Sequence, residues 1–329
     1  MIAGRGRRIV EKENESARIC AVSIRPGQDG QAVLDFLSVR FTYLDRDEWR
    51  RELAAGSLLV NGQKAGAGQR LVAGDRLSYR MTEGGEPPVA TDFKVVYEDQ
   101  DLLVVDKPAP LPCHPGGRYF RHTLWSLLRE RAGLAAPLFV NRLDRETSGL
   151  VVVARHQEAA RHCGRQWLAQ QVEKRYLVMV EGMFPLPEME AAGSLAPDPD
   201  SAIRKKVRFF PGSTGPPVGG RHCCTHLRRL AGANGLTLLE ARPVTGRCHQ
   251  IRATLCSLGF PVAGDKMYGV DEQLFLRFLE DRLSIEDRLR LRLPRQALHG
   301  AGLAFRHPAD NRLLRFVSPL PREMRELLV

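Results

Sequence analysis

Apolar residues come in short clusters along this chain, and the spacing inside each cluster sets the element it forms. Between residues 32 and 41, Val33, Leu34, Phe36, Leu37 and Phe41 recur at helical intervals. A second helix is predicted after Asp45-Arg46-Asp47-Glu48, whose acidic side chains suit a first turn; it runs through Trp49 and Leu53 to Gly56 as a C-terminal cap. The period then falls to two. Ser57-Leu58-Leu59-Val60 reads as a strand, Asn61-Gly62 as a hairpin turn, and residues 75–79 as a closing strand after the Ala73-Gly74 turn. A linker, Glu83-Gly84-Gly85-Glu86-Pro87-Pro88, follows. Residues 93–97 and 102–105 then form a hairpin, and its second strand ends at Asp106-Lys107-Pro108. Helical patterns cover 123–131 and 157–171, and another helix opens after Gly246 and ends at Gly259. Strands are predicted at 174–180, 237–241, 298–305 and 313–317, with a short C-terminal helix after Pro321. Residues 184–221, rich in Pro and Gly, read as irregular, and 271–292 as an amphipathic helical insertion heavy in Arg. Strands outnumber helices and many connections are hairpin-short. The class is therefore α+β, with a mixed, mainly antiparallel sheet. The domains expected are a basic tail at 1–18, a small αβ domain at 19–82, a linker at 83–92 and a large domain at 93–329.

Within the large domain one stretch concentrates the polar chemistry: Asn141-Arg142-Leu143-Asp144-Arg145-Glu146-Thr147-Ser148-Gly149, running into Leu150-Val151-Val152-Val153-Ala154. The apolar run is short and β-branched, as suits a strand covered on both faces. Thr147, Ser148 and Gly149 supply turn chemistry. If the segment before them is extended, Arg142 and Asp144 point the same way. A carboxylate among guanidiniums keeps its charge, which makes Asp144 a candidate nucleophile and not an acid. An ion pair that tightens a turn would look the same, so this stretch alone leaves both readings open.

Charge narrows the partner. The chain of 329 residues carries a net charge of +11, which points to a polyanion, and nucleic acid comes ahead of a membrane surface because no basic amphipathic helix with a bulky apolar face stands out. No apolar run is long enough to span a bilayer, so no membrane partner is expected. Seven scattered cysteines and an N-terminus without an apolar signal core suggest free thiols and a cytoplasmic location. His222, Cys223, Cys224 and His226 cluster, but adjacent cysteines in a strand face opposite ways and match no usual zinc spacing, so no metal is expected.

Two resemblances sharpen this. The order of two helices, a strand, a Val-Asn-Gly turn and a closing strand resembles the S-four-type RNA-binding module, with Arg46, Arg50, Arg51, Lys64 and Arg70 as its basic residues. Over roughly residues 93–329 the chain resembles pseudouridine synthases of the RluA type, the branch acting on large-subunit ribosomal RNA and transfer RNA. The motifs fall in that family's order: Lys107-Pro108, Arg142-Leu143-Asp144 through Thr147-Ser148-Gly149-Leu150, Lys174-Arg175-Tyr176, Gly246-Arg247-x-His249-Gln250-Ile251-Arg252, Gly264-Asp265-x-x-Tyr268-Gly269, and Leu298-His299. Asn141, Cys248 and Pro110 depart from the family's usual residues, which puts loop geometry in question and leaves the chemistry intact.

The resemblance implies a cofactor-free isomerisation: the bond between ribose and uracil breaks, the base turns, and it is rejoined through carbon. Asp144 would act at the sugar as nucleophile or stabiliser. Tyr176 would wall the pocket for an unstacked uridine, and could handle the proton lost from the base. Arg252 or Arg142 would hold Asp144 in place. Lys107, Lys174 and Arg247 would contact RNA, while His249 and Gln250 would be structural or contact phosphates rather than act in catalysis. The partner is RNA, ribosomal ahead of transfer, and the chain is expected to act as a monomer. Competing readings are a non-catalytic RNA-binding assembly factor, and a glycosidic hydrolase that pairs Asp144 with Glu146, although Glu146 suits a solvated turn.

Overall fold

The computed structural model describes residues 18–41, 44–81, 86–212 and 217–329. The chain divides into two compact units: Met1–Pro87 with Gly116–Phe120, and Pro88–Pro115 with Arg121–Val329. The expected tail at 1–18 lies outside the described residues except for Arg18.

In the first unit, β1 (Arg18–Ser23) leads to helices α1 (Val33–Arg40) and α2 (Arg46–Ala54), then β2 (Leu58–Val60), β3 (Gln63–Lys64) and β4 (Arg76–Met81). Asp45 caps α2: its side chain accepts from the Glu48 N–H while Glu48 reaches back to the Asp45 N–H, satisfying two donors the helix start leaves free. Asn61 and Gly62 both adopt positive φ (51° and 84°), the geometry a two-residue hairpin requires, and join β2 to β3. The antiparallel sheet runs β1-β4-β2-β3. Trp49, Phe36, Leu37, Leu58 and Leu77 fill the core between helices and sheet. β1 was not foreseen: it owes its place to pairing with β4, from Arg18 opposite Met81 to Ser23 opposite Arg76.

The second unit contains β5 (Lys94–Glu98), β6 (Leu102–Lys107), α3 (Leu124–Arg131), β7 (Leu138–Phe139), β8 (Ser148–Ala154), α4 (Gln157–Leu168) and β9 (Glu173–Glu181). Then come β10 (Glu188–Pro197), β11 (Val207–Pro211), β12 (Arg221–Ala233), β13 (Leu236–Pro243), α5 (Gln250–Ser257), α6 (Gln273–Leu279), α7 (Ile285–Leu291), β14 (Leu298–Arg306), β15 (Leu313–Val317) and α8 (Arg322–Arg325). The strands form one sheet in the order β11-β10-β12-β13-β9-β14-β8-β6-β5, with β15 beside β14 and β7 beside β8. Every pairing is antiparallel except β14 with β8. The α+β class holds.

The apolar run after Gly149 is covered on both faces. Val151 and Val153 of β8 join Leu103 and Val105 of β6 under α3, while Leu150, Val152 and Ala154 pack with Leu102, Val104, Phe305 and α4 on the other side. Gly149 sits at the parallel junction with β14, opposite Gly300. Its φ is +117°, and a Cβ there would lie 2.3 Å from the Gly300 carbonyl oxygen, so only glycine lets the two strands meet. That junction aims the polar loop before β8 out of the sheet.

One expectation is corrected. Residues 184–221 are not irregular; they contain β10, β11 and the start of β12. Their local preference is weak, and pairing supplies the order: a Cβ on Gly193 would lie 2.2 Å from the Phe210 carbonyl oxygen, so β11 approaches as closely as it does because residue 193 has no side chain. The insertion at 271–292 is helical as expected, in two short pieces, α6 and α7. Asp281 takes a positive φ of 54°, and Ser284 restarts the chain with a capping box to Asp287.

Candidate active site

Asp144 lies on the loop between β7 and β8. Asn141 pins the start of that loop, its side chain accepting from the Val152 N–H (2.7 Å) and donating to the Leu150 carbonyl (3.2 Å). Thr147 N–H closes a turn onto the Asp144 carbonyl at 3.2 Å. That turn begins at Asp144, and Arg142, just before it, lines the same cleft. Arg142 points to solvent and makes no hydrogen bond or ion pair among the described residues. The holder of Asp144 is Arg252 on α5, whose Nη1 donates to Oδ2 at 2.8 Å.

Arg252 is itself fixed. Its Nε and Nη2 form a fork onto both oxygens of Asp265, at 2.6 and 2.9 Å. Asp265 also accepts from the N–H groups of Met267 and Tyr268, and the Tyr268 ring lies 4.9 Å under the guanidinium. Burial would lower the Arg252 pKa, yet Asp265 and then Asp144 hold it above its usual value. Burial would likewise raise the Asp144 carboxyl; Arg252, then His249 and Gln296, bring it below the usual carboxylate value. Asp144 is therefore ionised at neutral pH. Its Oδ2 takes Arg252 and, at 3.4 Å, the Gln296 amide, while Oδ1 has no hydrogen bond among the described residues. About a third of the side chain (32%) is exposed, toward an open cleft of about 500 Å³.

The cleft is walled by Tyr176 on β9, Lys174, Arg247, His249 and Leu298. Burial first, then the Asp144 charge, pushes the Tyr176 phenol up to about 12, so it stays protonated and suits a wall better than a base. His249 occupies the left-handed region (φ 55°) at the start of α5, a conformation that costs a non-glycine residue energy and turns its ring into the cleft. Its Nδ1 lies 3.0 Å from the Tyr268 hydroxyl and its Nε2 3.9 Å from Asp144 Oδ1. Burial lowers its pKa, leaving a neutral imidazole at neutral pH. Lys174 Nζ donates to the Val244 and Thr245 carbonyls (3.1 and 3.2 Å), tying β9 to the loop before α5.

Two expected RNA contacts are corrected. Lys107 is wholly buried, its ammonium donating to the carbonyls of Leu111 (2.8 Å) and Pro108 (3.1 Å). Gln250 is buried too, bonded to Thr245, the Arg247 N–H, the Cys224 carbonyl and Thr225. Lys107 braces the cleft from behind, and Gln250, which borders it, has its polar atoms taken up by these internal partners. Arg247 remains exposed at the rim, its Nε donating to the His222 carbonyl at 3.2 Å. In the first unit Arg46, Arg50, Arg51, Lys64 and Arg70 are all exposed. Arg46 pairs with Asp35 at 2.7 Å, Arg50 with Asp47, and Arg70 donates to the Gly30 carbonyl. Glu146 is not a solvated turn residue: Lys266 (2.9 Å) and Arg145 (2.6 Å) hold it, and it does not line the cleft, which removes the second carboxylate a hydrolase would need.

Sequence reading gave no role to Asp265, Tyr268 or Gln296. The first two lay in a motif already noted, Gly264-Asp265-x-x-Tyr268-Gly269. Gln296, 2% exposed just before β14, carried no signal.

A mixed α+β sheet presenting one unsaturated carboxylate to a cation-rimmed cleft defines a catalytic domain. Residues 101–257 match the family described as RNA pseudouridylate synthase. A "tRNA pseudouridine(32) synthase, mitochondrial" of Saccharomyces cerevisiae is 30% identical over 240 residues, 73% of this chain, which spans 51% of that protein's length. A "Ribosomal large subunit pseudouridine synthase D" of Xanthomonas campestris pv. campestris is 32% identical over 309 residues, covering 92% of this chain and 88% of that one. Among solved structures, "Human RNA Pseudouridylate Synthase Domain Containing 1" superposes with a TM-score of 0.55 at 25% identity, over 71% of this chain and 86% of that one. The chain belongs to the RNA pseudouridine synthase family.

Proposed function

We propose that this protein converts uridine to pseudouridine within folded RNA, with Asp144 as the catalytic carboxylate and large-subunit ribosomal RNA as the substrate. The observation that carries the reading is the free Oδ1 edge of an ionised Asp144, clamped by Arg252 and facing the Tyr176 ring across the cleft. Asp144 acts at the ribose as the glycosidic bond breaks; the base turns against the Tyr176 wall and is rejoined through carbon, losing a proton there as its nitrogen regains one. Arg252 positions Asp144, while Arg142, Lys174 and Arg247 at the rim meet phosphates.

The first unit is read as an S-four-type RNA-binding domain at 19–82, linked through 83–92 to the catalytic domain at 93–329, with Arg46, Arg50, Arg51, Lys64 and Arg70 on its RNA-facing side. The ribosomal substrate follows from the Xanthomonas relative, which matches over nearly its whole length. Transfer RNA is the second reading, favoured by the name of the yeast relative. The protein is read as cytoplasmic and monomeric; among the described residues no helix is long and apolar enough to cross a membrane.

The test incubates the protein with ribosomal and transfer RNA transcripts carrying tritium at the uracil carbon that is to join ribose, and maps the modified positions. Tritium release and modified positions in ribosomal RNA without free uracil are expected, and both the release and the modified positions should be lost in Asp144→Asn. Release from transfer RNA alone would move the substrate to the second reading. Free uracil would mean hydrolysis, and binding without release in the unaltered protein would leave only an RNA-binding role.

A further inference from the structure

Away from the cleft, the outer face of β12 gathers three unlike metal-binding groups. The strand alternates cleanly: Cys223, Thr225 and Leu227 point into the core, while His222, Cys224 and His226 point outward. The two adjacent cysteines do face opposite ways, but a metal site need not come from one strand. Register places Glu190 of β10 directly opposite His226, and Ala192 opposite Cys224, so the small alanine leaves room beside the thiol. One ligand atom each from Glu190, Cys224 and His226 falls within a sphere where all lie within 4.8 Å of one another. His226 Nδ1 is 3.5 Å from Glu190 Oε2.

We propose that Glu190, Cys224 and His226 form a zinc-binding site on this sheet face. Bonds of about 2.0–2.3 Å from one ion to oxygen, nitrogen and sulfur put the ligand atoms about 3–4 Å apart, close to the spacing already present. A thiolate, an imidazole and a carboxylate together suit zinc, and are too soft a set for calcium or magnesium. Three protein ligands leave a fourth position open to solvent, which water fills. Binding exchanges the thiol proton for the metal and involves no redox step.

Three features distinguish this cluster from chance proximity. The strands that carry it are locked on both sides, β12 pairing with β10 and with β13, so the ligands are held on rigid elements. The Cys224 main chain is further pinned, its carbonyl accepting from the Val244 N–H (3.0 Å) and the Gln250 amide (3.0 Å). The ligand side chains themselves are uncommitted apart from the His226–Glu190 approach. The other such cluster among the described residues, Asp99, Asp101 and His307, is the reverse: both Asp99 oxygens, Asp101 Oδ1 and both His307 ring nitrogens already have internal partners.

The test titrates the reduced full chain with zinc against a chromophoric chelator, and repeats the titration with cobalt. A single high-affinity zinc per chain is expected, with a near-ultraviolet thiolate-to-cobalt band. Cys224→Ser should abolish the band, and Cys224→Ser and His226→Ala should each weaken zinc binding at least about tenfold. Glu190→Gln should weaken it less. His222→Ala, on the same face but one strand repeat beyond, should leave affinity unchanged. Far-ultraviolet circular dichroism checks that each variant is folded. Absence of stoichiometric zinc binding, or a cobalt band and affinity that survive Cys224→Ser, would overturn the proposal.

Discussion

Two clusters of the large unit are built from the same residue types and end in opposite states. At one, Asp144 and Asp265 share Arg252; at the other, Asp99 and Asp101 meet His307 and Arg312 where the β5–β6 turn approaches the loop after β14. Both hold a carboxyl below its ordinary pKa. For Asp99, burial pushes upward but the Tyr97 hydroxyl, the N–H groups of Leu102 and Asp101, and His307 outweigh it and bring the value to about 2. What differs is saturation. Asp99 Oδ1 takes two backbone N–H groups (2.9 and 2.8 Å), and Oδ2 takes the Tyr97 hydroxyl and the His307 ring. Asp144 has one good partner on Oδ2 and an Oδ1 left open to a cleft. A depressed pKa therefore does not distinguish a working carboxylate from a structural one. Unused acceptor capacity facing a cavity does.

The sharpest break of that comparison is Asp144→Asn. It should lower the rate of pseudouridine formation by about 10³-fold or more. Arg252 keeps its fork on Asp265, so the melting temperature should move by no more than about 2 °C. A large fall in stability would place Asp144 with the structural cluster. Arg252→Met comes next. It strands Asp265, whose side chain is fully buried, and should cost about 3–5 kcal/mol in urea unfolding while also removing activity. A stable, inactive variant would mean that Asp265 finds another partner.

Asp99→Asn is the mirror test: kcat within about twofold of the unaltered protein, and stability lower by about 1–2 kcal/mol at pH 7. The folded-state pKa of Asp99 is depressed from 3.8 to about 2. Its contribution is therefore complete above the unfolded value and lost as pH falls through about 2, so wild type and Asp99→Asn should converge in stability only at and below about pH 2. A gap that persisted there would have another cause. The smallest effect on stability is expected from Tyr176→Phe. With its phenol held near 12 the tyrosine serves as a ring, so activity should stay within about tenfold. The alkaline limb of the pH–rate profile should not move; a shifted limb would return the proton-handling role to the phenol.

Much of this was legible before any coordinates. Period-two runs and an Asn-Gly turn located the hairpin of the small unit, and the capping signals at Asp45 located α2, because caps and turns are satisfied within a few residues. The motif order pointed to Asp144, Tyr176 and Arg252. The misreadings share a cause. Arg142 and Arg252 stand as equal candidates for holding Asp144 until helix docking brings Arg252 to it. Lys107 and Gln250 stand among the RNA contacts by motif alone, but residue type says nothing of burial, and both lie inside, Lys107 on the carbonyls of Pro108 and Leu111 and Gln250 on Cys224 and Thr225. Residues 188–211 read as irregular because their strand character comes from neighbours and not from themselves.

Sequence by itself determined what local physics can decide: the α+β class, the β-branched strand after Gly149, and a carboxylate among cations. Tertiary structure alone decided which guanidinium holds Asp144, that Asp265 and Tyr268 stand behind it, and that Glu190 faces His226 across two strands. Those relations depend on sheet register and helix docking, which are set by many weak contacts between segments far apart in the chain. No single stretch of residues carries them.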